Sequence, residues 1–129
     1  PKSLQVRLSW DDPATGERRE PLLTPPIALG RDFNSLPVQA NGEPVSRLVL
    51  SSGEVSRFHA LIDLDRGGLI AIDQNSTNGI FVNGQPQTRI TIANGDVLQI
   101  GPYQISVAIA THSSTAISDS PSTIPFNPN

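Results

Sequence analysis

A pair of β-strands is predicted by the stretch VLQIGPYQISVAI, residues 97–109. In its second half an apolar residue stands at every other position, namely Tyr103, Ile105, Val107 and Ile109. Such alternation is typical of a strand that packs one face on a hydrophobic core. The N-terminal segment repeats the pattern at Leu4, Val6, Leu8 and Trp10. The two segments therefore predict long strands near the two ends of one β-domain.

Short apolar segments separated by turn residues fill the region between these strands. They are residues 22–23, 27–29, 48–50, 59–64, 69–73, 80–82 and 89–92. Asn-Gly pairs at 41, 78, 83 and 94 tolerate the positive φ of hairpin turns. Residues 11–18 are predicted to form a turn, and residues 32–47 a long loop. Since no segment has helical periodicity, the expected fold class is all-β, either a sandwich or a barrel.

The composition describes one domain without cysteine. The chain has 129 residues, enough for a single core. Its 9 Lys and Arg against 12 Asp and Glu leave a net charge of -3, the wrong sign for general nucleic-acid binding. Without cysteine there is no disulfide, thiolate metal site or cysteine nucleophile. Because no apolar run spans a membrane and no signal peptide is visible, we expect a cytoplasmic protein with neither a membrane nor a nucleic-acid partner.

The composition changes after the last predicted strand. Eight of the 19 residues at 111–129 are Ser or Thr and three are Pro. Such a segment buries too little apolar surface to order itself. We therefore expect a domain over residues 1–110 and a flexible linker or tail over residues 111–129. The sequence starts at Pro1 and contains no Met, so we also expect it to be a piece of a longer chain.

Three polar blocks stand at predicted strand ends. They are Gly30-Arg31, the segment SRFHA at residues 56–60 and the segment STNG at residues 76–79. Loops at one end of a rigid β-scaffold commonly form a binding surface. The blocks supply guanidinium groups, hydroxyls and an amide, a set rich in hydrogen-bond donors. A small anion with several oxygens is the natural complement, and phosphate fits that description.

The order of these blocks resembles the forkhead-associated (FHA) domain family. After Gly30-Arg31 come Ser56-x-x-His59-Ala60, the segment DQNSTNGIFVNG at residues 73–84, and Asn94-Gly95-Asp96. The resemblance implies a two-sheet β-sandwich of about eleven strands, with apical loops that bind phosphothreonine in an extended peptide. One departure is the interval of 25 residues from Arg31 to Ser56, longer than the family's pattern, with the excess around residues 37–44.

The resemblance also implies which side chains bind the ligand. It assigns phosphate contacts to Arg31, Ser56, Arg57 and Thr77, and a contact to the peptide backbone to Asn78. It implies no catalytic residue, no cofactor and no metal ion. The implied partner is a phosphothreonine protein, the substrate of a Ser/Thr kinase, and the implied function is non-catalytic phosphopeptide recognition in signalling.

Other residues receive structural or specificity roles from the same resemblance. His59 is expected to brace the binding loop, Gly30 to permit a close approach and Gly79 to supply a positive φ. Glu54, two residues before Ser56, is expected to read the third residue after the phosphothreonine. A carboxylate there would repel an acidic residue of the ligand.

Three alternative interpretations involve the same residues. Ser56 and His59 could form a nucleophile–base pair, but no oxyanion-hole motif accompanies them. His59, Asp63 and Asp65 could share a metal ion, yet a single His among carboxylates commonly occurs by chance. A phosphate-independent FHA-like scaffold or oligomerisation domain is the serious alternative. Its usual signature is loss of the arginine or the serine, and Arg31 and Ser56 are both present.

Overall fold

The protein is a β-sandwich, seen in a computed structural model that describes residues 3–66 and 68–112. The strands of this part are β1 (Ser3–Asp11), β2 (Arg18–Arg19), β3 (Leu22–Leu23), β4 (Ile27–Gly30), β5 (Gln39–Ala40), β6 (Glu43–Pro44), β7 (Ser46–Val49), β8 (Ala60–Asp65), β9 (Gly68–Asp73), β10 (Ile80–Val82), β11 (Gln85–Gln87), β12 (Arg89–Ile92), β13 (Val97–Ile100) and β14 (Tyr103–His112). A 3₁₀ helix covers Phe33–Ser35. The expected all-β class is confirmed. None of the helical segments described is long and apolar enough to cross a membrane.

Two large sheets contain most of the strands. The first sheet has the order β11-β10-β13-β14-β1-β2, and β3 also pairs with β1. The second sheet has the order β12-β9-β8-β4-β7, in which β4 and β7 are parallel and the other neighbours antiparallel. The longest ladder joins β1 to β14 from Ser3↔His112 to Ser9↔Ser106. The two segments with the clearest alternation in the sequence therefore lie side by side.

The core lies between the two sheets. Val6, Leu8 and Ile105 of the first sheet are fully buried, and so are Leu29 and Ile62 of the second. Burial of each such side chain is worth about 1.5–3 kcal/mol relative to exposure. Along β1 and β14 the buried residues alternate with exposed ones, as the sequence pattern predicts.

The prediction of one long loop over residues 32–47 was wrong in part. This stretch contains the 3₁₀ helix, the β5–β6 hairpin and the start of β7. Asn41 and Gly42 form the hairpin turn with φ of 53° and 80°, the positive values that a tight two-residue turn requires. The hairpin strands have two residues each, which is too short for an alternating pattern to appear in the sequence.

Other boundaries also differ from the sequence-based expectations. The predicted strand at 48–50 lies two residues earlier, as β7, and Leu50 follows it as a buried loop residue. Arg18 and Arg19 form β2, although Arg18 was expected in a turn, and β11 was not predicted because Gln85–Gln87 has no apolar alternation. β14 continues to His112, two residues past the expected domain boundary. The expected tail from residue 113 onward lies outside the described residues.

Strand direction brings three loops to one end of the sandwich. Parallel strands β4 and β7 end there at Gly30 and Val49, and antiparallel β8 begins there at Ala60. β9 ends there at Asp73, opposite Ala60. This apical end therefore carries the loop after β4, the loop of residues 50–59 and the loop of residues 74–79, which are the three loops that hold the polar blocks.

The opposite end is held by a side-chain network between two turns. The Asn83 amide Nδ2 donates to Asp96 Oδ1 at 3.0 Å, and its Oδ1 accepts from the Val97 N–H at 2.9 Å. The Ala93 N–H donates to Asp96 Oδ2 at 2.8 Å. The bonds from Ala93 and Asn83 hold the pKa of the Asp96 carboxyl below its ordinary value of 3.8. The ionised form of Asp96 is therefore the one that the fold stabilises.

We expect Asp96→Asn to lower the free energy of unfolding at neutral pH, and the difference from wild type to shrink in acid. The folded-state pKa lies below the unfolded-state value, so the unfolded chain takes up its proton first. The stabilisation is present above the ordinary pKa of 3.8 and is lost as the pH falls through the folded-state pKa. Urea unfolding of both proteins at about pH 6 and about pH 3 measures this change. A difference that is the same at both pH values would contradict it.

Candidate functional site

A buried histidine connects two of the apical loops. His59 is fully buried, and its Nδ1 accepts a hydrogen bond from the Ser56 N–H at 3.0 Å. Its Nε2 lies 2.8 Å from the Gly79 carbonyl oxygen. Because a backbone N–H can only donate, Nδ1 carries no proton and Nε2 donates to the carbonyl. The neutral imidazole thus joins the loop of residues 50–59 to the loop of residues 74–79.

The residues assigned to ligand binding lie on either side of this bridge. Ser56 Oγ accepts a hydrogen bond from the Thr77 N–H at 3.0 Å. The Asn78 amide Nδ2 donates to the Glu54 carbonyl oxygen at 2.8 Å. Thr77 and Asn78 are exposed, and Ser56 is half-buried. The two loops therefore present a hydroxyl from each side and an amide at one rim.

Arg31 is held at the same place by two hydrogen bonds. Its N–H donates to the Ser56 carbonyl at 3.0 Å, and its Nε donates to the Val55 carbonyl at 2.8 Å. The Nε bond fixes the direction of the guanidinium while its two terminal nitrogens keep their N–H groups for other partners. Arg57 is exposed beside it. The structure thus places Arg31, Ser56, Arg57, Thr77 and Asn78 together at the apical end.

Gly30 stands where the backbone of the next loop comes closest. A Cβ built on Gly30 would lie 2.0 Å from the Arg57 carbonyl oxygen and 2.9 Å from Leu36 Cδ2. A side chain at position 30 would therefore displace the backbone that carries Arg57. Gly79 has a different requirement, because its φ of 78° lies in the left-handed region.

Asp73 and Ser76 shape the loop that carries Thr77 and Asn78. The Asp73 carboxylate accepts hydrogen bonds from the Ser76 hydroxyl and, at 3.2 Å, from the Ser76 N–H. Ser76 Oγ in turn accepts from the Gly79 N–H at 2.8 Å. Both residues belong to the motif at residues 73–84, but no binding or structural role was predicted for either. The three-residue spacing, which lets an Asp side chain bond the backbone of its own turn, is the signal that could have found them.

Glu54 lies at the rim next to Asn78. Its N–H donates to Ser52 Oγ at 3.1 Å, its carbonyl accepts from Asn78, and its side chain is exposed. A Cβ on Gly101, in the β13–β14 turn, would lie 3.3 Å from the Glu54 carbonyl oxygen. Glu54 is therefore on the side of the site that faces the first sheet.

The contacts of His59 bear on the alternative interpretations. Its ring bonds the backbone of Ser56 and Gly79, whereas the Ser56 hydroxyl accepts from Thr77. A nucleophile–base pair needs a hydrogen bond between the Ser56 hydroxyl and the His59 imidazole. In this structure the hydroxyl and the imidazole bond other partners. Across residues 3–66 and 68–112, no three His, Cys, Asp or Glu side chains form a metal-binding cluster.

Comparison with known proteins identifies the family. The FHA domain family model matches residues 27–101. One solved structure comes from a structural and functional study of phosphothreonine-dependent FHA domain interactions. It is 29% identical with a TM-score of 0.58, and the match covers 81% of this chain and 95% of that chain. The FhaA FHA domain, solved in complex with the intracellular domain of Rv3910, is 30% identical, with a TM-score of 0.57, covering 79% and 98%. The chain belongs to the FHA domain family, as the order of the motifs indicated.

A curated relative extends the comparison to a complete protein. The glycogen accumulation regulator GarA of Mycolicibacterium smegmatis is 38% identical over 66 residues, which are 51% of this chain and 42% of GarA. The chain spans less than half the length of the curated relatives it matches. The similarity to GarA therefore concerns its FHA-like part and not the whole length of GarA.

We expect Gly30→Ala to destabilise the fold by about 1–3 kcal/mol, because the added Cβ overlaps the Arg57 carbonyl. Gly53→Ala is a matched control in the neighbouring loop, since nothing lies within 4 Å of a Cβ built there. Its free energy of unfolding should stay within about 0.5 kcal/mol of wild type. Urea denaturation followed by tryptophan fluorescence measures both. Equal stability of the two variants would contradict the close approach at Gly30.

Proposed function

We propose that this domain is a non-catalytic module that binds phosphothreonine in an extended peptide. The phosphate contacts Arg31, Ser56, Arg57 and Thr77, and Asn78 holds the peptide main chain. The observation that carries the proposal is the anchored guanidinium of Arg31, whose Nε donates to the Val55 carbonyl at 2.8 Å while the residue stays exposed to solvent. Membership of the FHA domain family supports it.

The chemistry of the site matches a phosphate group. A phosphothreonine carries about -1.5 to -2 charge and three strong acceptor oxygens. Arg31 and Arg57 supply N–H donors, and charge-assisted hydrogen bonds are roughly twice as strong as neutral ones. Ser56 and Thr77 add hydroxyls from two loops that are already joined at 3.0 Å. The loops need little rearrangement to enclose the anion, which lowers the entropic cost of binding.

Selectivity for phosphothreonine over phosphoserine needs a contact to the γ-methyl group. We place this contact between the loops that carry Ser56 and Thr77. A methyl group in an apolar niche is worth about 1–3 kcal/mol in discrimination. Phosphoserine peptides should therefore bind more weakly by a measurable factor.

The partner is a protein phosphorylated on threonine by a Ser/Thr kinase. Most protein kinases act in the cytoplasm. We therefore place the interaction in the cytoplasm. The regulator name of GarA supports a role in signalling. No cofactor, metal ion, nucleic acid or membrane takes part in this proposal.

We expect Arg31→Ala to weaken phosphothreonine-peptide binding at least about tenfold, because a hydrogen bond to a charged group is worth about 1.5–3 kcal/mol. Fluorescence polarisation with a degenerate phosphothreonine pool measures the loss, with phosphoserine and unphosphorylated pools alongside. Arg66→Ala is the matched control, because Arg66 follows β8 at the opposite end of the sandwich. Circular dichroism checks that each variant is folded. Failure of the folded wild type to bind any pool would favour the phosphate-independent scaffold.

A second prediction concerns Glu54. Peptides with Asp or Glu at the third position after the phosphothreonine should bind less well than peptides with apolar or basic residues there. Glu54→Gln should remove most of this penalty, a change of up to about fivefold for an exposed charge pair. Glu43→Gln removes another exposed carboxylate, on β6, and serves as the control. A peptide array in which the wild type prefers acidic residues at that position would rule the role out.

A further inference from the structure

The arginines of the protein differ in whether they form salt bridges, and Arg47 differs from the others in being half-buried. Arg18, Arg19 and Arg89 form salt bridges with neighbouring carboxylates. Among the described residues, five arginines form none, namely Arg7, Arg31, Arg47, Arg57 and Arg66. Of these five, Arg31, Arg47 and Arg57 lie near the apical end of the second sheet, where they concentrate positive charge in a chain whose net charge is -3.

Phe33 holds one of these arginines in place. The ring is 48% exposed, and the Arg47 guanidinium carbon lies 4.0 Å from its centroid. Stacking on an aromatic face fixes the plane of a guanidinium and leaves the N–H groups at its edge free to bond. The nearby Asp32 carboxylate accepts from the Ser35 hydroxyl at 2.7 Å. Phe33 belongs to the long segment between Arg31 and Ser56.

The three arginines lie on adjoining backbone segments near the apical end of the second sheet. Arg47 pairs with Ala28 on β4, two residues before the strand end at Gly30. The Arg57 carbonyl lies against Gly30, and Arg31 is the residue directly after Gly30. We call Arg31, Phe33, Arg47 and Arg57 the arginine–phenylalanine surface. It begins at the candidate phosphate site and continues about 7 Å down the sheet, two residues at about 3.3 Å each.

The other side of the candidate site has the opposite charge. Glu54 stands at the rim formed with Asn78, next to the Gly101 turn of the first sheet. A peptide that crosses the site in an extended conformation has one flank toward Glu54 and the other toward Arg47. The two flanks of the ligand therefore meet unlike electrostatic surroundings.

We propose that the arginine–phenylalanine surface binds acidic side chains on one flank of the phosphothreonine. This inference rests on the proposed phosphothreonine-binding function. Carboxylates are the geometric complement of a guanidinium edge, because they accept two parallel hydrogen bonds. An extended peptide covers about 7 Å in two residues. The acidic residues therefore lie about two to four positions from the phosphothreonine, on the flank that faces away from Glu54.

The experiment uses three phosphothreonine peptides with the same neutral background. One has no acidic residue, one has a Glu pair two to four positions before the phosphothreonine, and one has the pair at the same distance after it. Wild type, Arg47→Gln and Arg66→Gln are titrated with each by fluorescence polarisation at low ionic strength. The ratio of acidic to neutral affinity is taken within each variant, so a change in phosphate binding cancels.

In the wild type we expect the Glu pair to tighten binding about two- to fivefold only when it precedes the phosphothreonine, because Glu54 is proposed to face the residues that follow it. Arg47→Gln should abolish this gain and Arg66→Gln should keep it. The inference is overturned if the preceding pair gives no gain, if the following pair gives an equal gain, if the gain survives Arg47→Gln, or if Arg66→Gln removes it equally. Those outcomes leave the neutral phosphothreonine peptide bound. Absence of binding by that peptide to the wild type would instead overturn the proposed function as well.

Discussion

The arrangement of the apical end depends on the buried imidazole of His59. One ring nitrogen accepts from the Ser56 N–H, and the other donates to the Gly79 carbonyl. Each partner belongs to a different loop, and the second loop crosses from β9 in the second sheet to β10 in the first. A polar group that loses its partner in a buried position costs about 1–3 kcal/mol. The pairing of the loops is therefore strongly specified, and the contacts between Ser56 and Thr77 and between Asn78 and Glu54 follow from it.

The positive charge at the candidate site is a local feature of an acidic protein. The net charge of -3 would not attract an anion over a long distance. In the candidate site the Val55 carbonyl holds the Arg31 side chain in place, and the Asp73 carboxylate accepts hydrogen bonds from Ser76 within its own loop. A binding module built in this way gains its affinity from short, directed contacts.

The sequence predicts the fold class where strands are long and half-buried. β1 and β14 show the alternating pattern because one face of each lies on the core. The two-residue strands of the β5–β6 hairpin are too short to show any period. The predicted position of β7 is too far along the sequence because Leu50, which was included in that strand, is a buried loop residue. For these segments the tertiary context decides the conformation.

Part of the candidate site was also predictable from the sequence. The order of its motifs predicted the FHA family, and the loops that carry those motifs contact one another in the structure. The stacking of Arg47 on Phe33 was not predictable, because it joins residues 14 positions apart whose approach depends on the 3₁₀ helix after β4. Asp73 and Ser76 show the intermediate case, in which a recognisable turn spacing was present but its structural role was not assigned.

Binding of a phosphate on threonine by the apical loops can be observed residue by residue. The measurement is an amide chemical-shift titration of the ¹⁵N-labelled domain with one phosphothreonine peptide and its unphosphorylated counterpart. We expect the amides of Arg31, Ser56 and Thr77 to shift with the phosphorylated peptide alone, while the amide of Arg66 at the opposite end does not. Equal shifts with both peptides, or shifts confined to another surface, would contradict it.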